Sequence, residues 1–284
     1  MPTRKSMVEK SEDDPEAGQL TSSSALFIRA SFFNHACASS AAWSMYGDVI
    51  SIRSRTPIKA GDEIFVSYGE LDKSKGLGAK HFLDAMKPCK CQICTYDRIE
   101  EPQNLVKRTT LMEERFPALQ ASLRNSYQSG GGPTARDLQQ TQAFVKELEA
   151  TYSPNRGAIR SRLSSAYHLL AESFTPAKYV EANAAQIKSL EALGLELDLY
   201  SLSKSPSFKI KALPLASPGS IGAPLLMCAA RSHEHGRSSE ASRWIAIAVA
   251  LEDLMSGGGK EMFMVRYGDI IARMGFQDFV EKQL

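Results

Sequence analysis

No apolar run in this 284-residue chain is longer than WIAIAVAL, residues 244–251, and a helix needs roughly 20 such residues to cross a bilayer. A membrane-spanning helix is therefore excluded. The first 24 residues also lack the apolar core and small-residue cleavage site of a secretory signal. The chain is accordingly expected inside the cell, nuclear or cytoplasmic, since no basic cluster is strong enough to act as a nuclear address. Cysteine is scarce, at five residues. That is too few for a disulfide framework, and intracellular thiols stay reduced or bind metal. Neither sign of charge dominates, with 34 Lys and Arg against 32 Asp and Glu, so the whole-chain field carries no direct nucleic-acid signal. Hydrophobic residues at 43% and charged residues at 23% exclude wholesale disorder. The length suits about two domains at ~150 residues each.

Residues 1–24 mix charge, Ser, Pro and Gly and read as a disordered tail, its acidic run at residues 9–16 a solvated face. Residues 25–98 are different. ALFIRASFF, DVISIRS and DEIFVSYG are short runs rich in Ile, Val, Phe and Tyr, separated by NHACASS and TPIKAGD, and they predict short strands in a small β-rich unit. Residues 56–62, with Pro57 and Gly61, read as a turn into the strand at 63–68.

Beyond residue 98 the periodicity is helical, and residues 108–284 read as a helical domain. Leu138, Thr141, Val145, Leu148 and Tyr152 form one stripe, with Thr134 placed as a cap; Ile159, Leu163, Ala166, Tyr167 and Leu170 form another. Thr175 and Pro176 start a helix that Gly194 stops. Residues 239–255 predict a deeply buried helix, with Trp244, Ile247, Ala248, Leu251 and Met255 on one face and Ile245 and Val249 widening it. Linkers are expected at residues 130–133, at the Pro/Ser-rich residues 203–224, and at residues 256–260, the last short enough to pair its flanking helices. Successive helix pairs resemble tetratricopeptide arrays, although no fixed repeat period is found. The fold class is α+β and mostly α.

The sharpest local signal is Cys89-Lys-Cys91-Gln-Ile-Cys94. Three thiols in six residues can converge on one ion, and Zn²⁺ takes four thiolates tetrahedrally at roughly 2.3 Å. A fourth ligand must come from elsewhere. Cys37 is favoured, because one ion would then tie the start of the β unit to its end; His81 and His35 stay as alternatives. Cys228, within PLLMCAA, reads as a core thiol. Residues 76–78 (GLG) lack the context of a phosphate loop.

Three signals occur in order: Asn34-His35-Ala36-Cys37, then GDEIFVSY at residues 61–68, then the Cys89, Cys91, Cys94 triplet. Together they resemble the C-terminal half of a SET domain with its post-SET zinc segment, and most of all the SET and MYND domain family of protein-lysine methyltransferases. The resemblance covers residues 25–95 and implies a partial SET fold followed by a helical, tetratricopeptide-like domain. It implies S-adenosylmethionine binding by Asn34 and His35, a catalytic tyrosine at Tyr68, and structural zinc on Cys37, Cys89, Cys91 and Cys94. It also implies a protein or peptide lysine as substrate. An Asn side chain offers a donor and an acceptor to the cofactor's amine and carboxylate. Read from the residues alone, His35 is equally a hydrogen-bonded turn histidine and Tyr68 a strand-end tyrosine packed in the core. The carboxylates of Gly61-Asp62-Glu63 are given no role.

The chain departs from the family pattern at several points. Residues 1–33 hold no Gly-x-Gly segment, no MYND module precedes the motifs, Ala38-Ser39-Ser40 replaces the usual Pro-Asn, and residues 85–88 (AMKP) lack the aromatics that wall the lysine channel. Weak methyl transfer is therefore expected of the chain alone. The alternative function, from another class, is a non-catalytic interaction module in which the helical domain holds a protein partner and the zinc unit caps it.

Overall fold

The computed structural model describes residues 26–68, 89–200, 207–217 and 219–284. The 1–24 tail, residues 76–78, His81 and residues 85–88 lie outside the described residues. The chain divides into two compact parts, residues 1–32 and 33–284.

In the first part the ALFIRASFF run does not make the strand its composition predicts. Ala30–Phe32 is a 3-10 turn, and the Ser31 hydroxyl donates to the Ile28 carbonyl at 2.7 Å. Such a local bond bends the backbone where a strand needs it extended.

The second part opens with four short strands: β1 (Asn34–His35), β2 (Ala41–Tyr46), β3 (Val49–Ser54) and β4 (Phe65–Val66). Strands β2 and β3 form an antiparallel hairpin running from Ala41 opposite Ser54 to Tyr46 opposite Val49. Its two-residue turn uses Gly47 at φ 60°, a conformation that costs other residues a steric penalty. Alternation did not predict β2, because its polarity is inverted. Ala41, Ala42 and Ser44 are buried, while Trp43 and Met45 are exposed. Small inward residues let the hairpin approach a helix closely. Strands β1 and β4 pair in parallel, Asn34 with Phe65 and His35 with Val66.

Among the described residues ten α-helices follow: α1 (Gln92–Ile99), α2 (Pro102–Thr110), α3 (Phe116–Gln128), α4 (Ala135–Glu149), α5 (Ser161–Glu172), α6 (Tyr179–Glu191), α7 (Gly222–Glu234), α8 (Ser238–Ser256), α9 (Gly259–Arg273) and α10 (Gln277–Gln283). A π-helical turn, Leu111–Arg115, joins α2 to α3. The predicted helix at 239–255 is α8, and Trp244, Ile245, Ile247, Ala248, Leu251 and Met255 are all buried. Helix α6 stops as expected: Gly194 takes φ 96° and the Leu195 N–H returns to the Leu190 carbonyl at 3.1 Å. The expected linker at 203–224 is partly a strand instead. β6 (Ser207–Ala212) pairs antiparallel with β5 (Glu196–Tyr200), because Phe208 and Ile210 pack against the apolar cluster below them.

Two apolar clusters organise the helices. The larger joins α7, α8, α9 and α10 and takes in Ala42 of β2; the smaller gathers Leu111, Phe144, Leu148, Leu163 and Tyr167. The hairpin thus shares its core with the helical body. Polar ties reinforce this: Arg53 Nε donates to the Leu254 carbonyl at 3.0 Å and Tyr46 Oη to that of Ser256 at 3.2 Å.

Thr134 caps α4 as expected, in a reciprocal capping box with Asp137. The Asp137 carboxylate also accepts from Ser122 and Ser126, each at 2.8 Å. Burial pushes its pKa up, but these bonds outweigh it and hold the value down at about 2. A depressed folded-state pKa stabilises above the unfolded value of 3.8 and loses that stability as pH falls towards 2. Asp137→Asn should therefore lower stability by roughly 1–2 kcal/mol at pH 7, and urea midpoints of variant and parent should converge near pH 2.

Candidate metal centre and adjoining histidine–tyrosine cluster

The β1–β4 pairing sets two of the three motifs side by side. Ala36 N–H donates to the Val66 carbonyl at 3.1 Å, which pins the loop carrying Cys37. The third motif reaches the same place through α1: Cys91 is its N-cap and Cys94 lies in its first turn. The sulfurs of Cys37, Cys89, Cys91 and Cys94 all lie within 4.8 Å of one another, with Cys37 and Cys94 only 3.6 Å apart. A tetrahedral zinc with bonds of roughly 2.3 Å places its sulfurs roughly 3.8 Å apart. The donor set fits the ion in number, chemistry and spacing.

Local electrostatics agree. The N-terminal end of α1 carries partial positive charge, which favours thiolates. Hydrogen bonding to Cys91 and Cys94, then burial, push the Cys37 thiol up, whereas hydrogen bonds from Cys37 and Cys94 hold Cys91 down. Cys228 stands apart, fully buried, its thiol pushed up to about 12 by burial; it is the core thiol its apolar setting predicted.

His35 joins this cluster to Tyr68. Its Nδ1 accepts the Tyr68 backbone N–H at 3.1 Å, so the proton sits on Nε2, which lies 3.3 Å from Cys37 Sγ and donates to it. The two rings are 5.3 Å apart. The Tyr68 hydroxyl donates to the Phe33 carbonyl at 2.5 Å, with the side chain about half exposed. Asn34 Nδ2 donates to Glu63 Oε1 at 2.5 Å. Glu63 thereby orients Asn34, a role invisible in sequence because a turn carboxylate reads as solvated.

Helix α1 is held from its other end by a buried charge cluster that sequence reading missed. Glu100 sits 3.1 Å from Arg108 and 3.3 Å from Arg156 and accepts the Ser153 N–H at 2.9 Å. Asp97 lies 2.6 Å from Arg156, and the Arg108 guanidinium stacks 3.6 Å over Tyr152. These charges are scattered through unremarkable helices, so no local pattern announces them.

No curated protein matches the chain. A model of the SET domain does match, over residues 5–69; it reaches into the stretch read as a tail and ends one residue past Tyr68. Residues 5–69 are thus similar to a SET domain, and a four-cysteine cluster that could hold a metal ion brings Cys37 of that stretch to Cys89, Cys91 and Cys94 beyond it.

Proposed function

We propose that this chain is a protein-lysine N-methyltransferase of the SET and MYND domain kind, dependent on S-adenosylmethionine, with structural zinc on Cys37, Cys89, Cys91 and Cys94. The reading is carried by one observation: the β1–β4 pairing gathers Asn34, His35, Cys37 and Tyr68 into a single cluster. Bound S-adenosylmethionine supplies an electrophilic methyl group. Asn34 suits its amino-acid end, since the side-chain nitrogen is held by Glu63 and the carboxamide oxygen is left to accept from an ammonium. Both ring nitrogens of His35 are engaged, so His35 serves through its backbone while its ring braces Cys37 and Tyr68. Tyr68 orients the lysine amine, which must be neutral to react although its pKa in water is near ~10.4; alignment of the two groups provides the rate gain.

Calorimetric titration of the full chain with S-adenosylmethionine should saturate, and Asn34→Ala should weaken it about tenfold, the loss of one charge-assisted hydrogen bond. Tyr68→Phe should leave that affinity unchanged while lowering methyl transfer to a lysine peptide by roughly 100-fold. A flat titration on folded protein rejects the enzyme. It would leave the non-catalytic interaction module, which one feature favours: the Tyr68 hydroxyl is already spent on Phe33.

A further inference from the structure

A cavity of about 420 Å³ lies where the end of β3 meets α5, α6 and α7. Leu190, Leu193, Leu215 and Met227 give it an apolar lining, and Arg55 contributes a guanidinium. Two of the five N–H donors of Arg55 are used by neutral acceptors, the carbonyls of Pro214 at 2.9 Å and Ala216 at 2.6 Å. Its Nε–H is buried without a partner. Among the described residues no carboxylate forms an ion pair with it. Burial lowers its pKa to about 10, so it stays cationic at neutral pH.

A partly buried cation whose enclosed Nε has no partner and whose bonds reach only neutral dipoles is left undercompensated. A second positive feature adds to it. Ala223 and Pro224, from the first turn of the 13-residue helix α7, also line the cavity. The N-cap of that helix, Ile221, makes no side-chain cap; the buried Gly222 N–H donates to the Tyr267 hydroxyl at 3.1 Å, and the rest of the helix dipole adds to the same field. Glu172, which pairs with the lining His168 at 3.4 Å, does not itself line the cavity.

We propose that this cavity binds a carboxylate carrying an aliphatic body, the anion at Arg55 and the start of α7 and the hydrocarbon against the leucines and Met227. One guanidinium balances one charge, and the apolar lining disfavours a dianion such as a phosphate monoester. The site goes beyond the methyl-transfer reading and does not depend on it. Cys37 and Ser67 line the same cavity, so its occupancy bears on the metal centre and on the residue before Tyr68.

The test is calorimetric titration of the full chain with octanoate, octanamide and inorganic phosphate. Octanoate should bind saturably at one site, with octanamide about tenfold weaker or worse, the effect of losing a charged partner, and phosphate showing no heat. Met227→Trp, which fills the apolar wall, should abolish octanoate binding. Arg55→Met should erase the preference for octanoate over octanamide. Should either variant fail to fold, the preference measured on the unmodified chain decides. Equal affinity for octanoate and octanamide, octanoate binding undiminished in folded Met227→Trp, phosphate bound in place of octanoate, or no binding at all would each overturn the proposal.

Discussion

Protein purified from cells is expected to carry one zinc ion per chain, and Cys94→Ser to carry none. Cys94 is the buried member of the quartet and lies between the chain's two halves of the site, 3.6 Å from Cys37. Its oxygen analogue is a harder, less acidic donor that a soft site does not replace. Structural zinc contributes on the order of 10 kcal/mol in small zinc domains, so its loss should be the largest single perturbation of the N-terminal region. Elemental analysis checks occupancy. Hydrogen exchange checks the structural consequence: the amide of Ala36, bonded to Val66, should lose protection while amides of α8 keep theirs. Because thiolates rather than thiols ligate, retention should fall as pH is lowered. Full zinc content in the Cys94→Ser protein would show that the four sulfurs do not share an ion.

Glu100→Gln is expected to cost about 3–5 kcal/mol, the penalty for leaving buried charges without their counter-charge. The Glu100 side chain is 1% exposed, and those of Arg108 and Arg156 are 4% exposed. Removing the carboxylate leaves two guanidiniums to share Asp97, which is itself 27% exposed. Water cannot reach the buried arginines to compensate. The midpoint of urea unfolding measures the loss, and a change below about 1 kcal/mol, the value of a surface pair, would show that the cluster is not the anchor the geometry indicates. The same variant tests communication with the metal centre. Glu100 immediately follows α1, whose first turn holds Cys94, so zinc should be lost to a chelator faster than from the parent.

Local chemistry explains which parts were legible in the sequence. Helix α8 was readable because Trp244, Ile247, Leu251 and Met255 recur at helical spacing on a buried face, and the Thr134 cap because capping is settled within four residues. Strand β2 was not readable, since its small residues face the core and its large ones solvent, reversing the usual polarity. β6 was hidden in a segment whose Pro and Ser content reads as a linker, and only the pairing with β5 and the cluster beneath it make it a strand.

The sequence by itself determined the ligand types and their order along the chain, because thiols, a carboxamide and a phenol carry their chemistry wherever they are placed. It also determined the mostly helical character, through periodicities that each segment holds alone. Only the tertiary structure decided that Cys37 meets Cys94, that the His35 ring braces Tyr68 instead of standing open, and that the Arg55 Nε is enclosed without a partner. The physical reason is that burial and hydrogen-bond partnership belong to pairs of segments: Arg55 takes its setting from Pro214 and Ala216, and nothing adjacent to it in the chain encodes them.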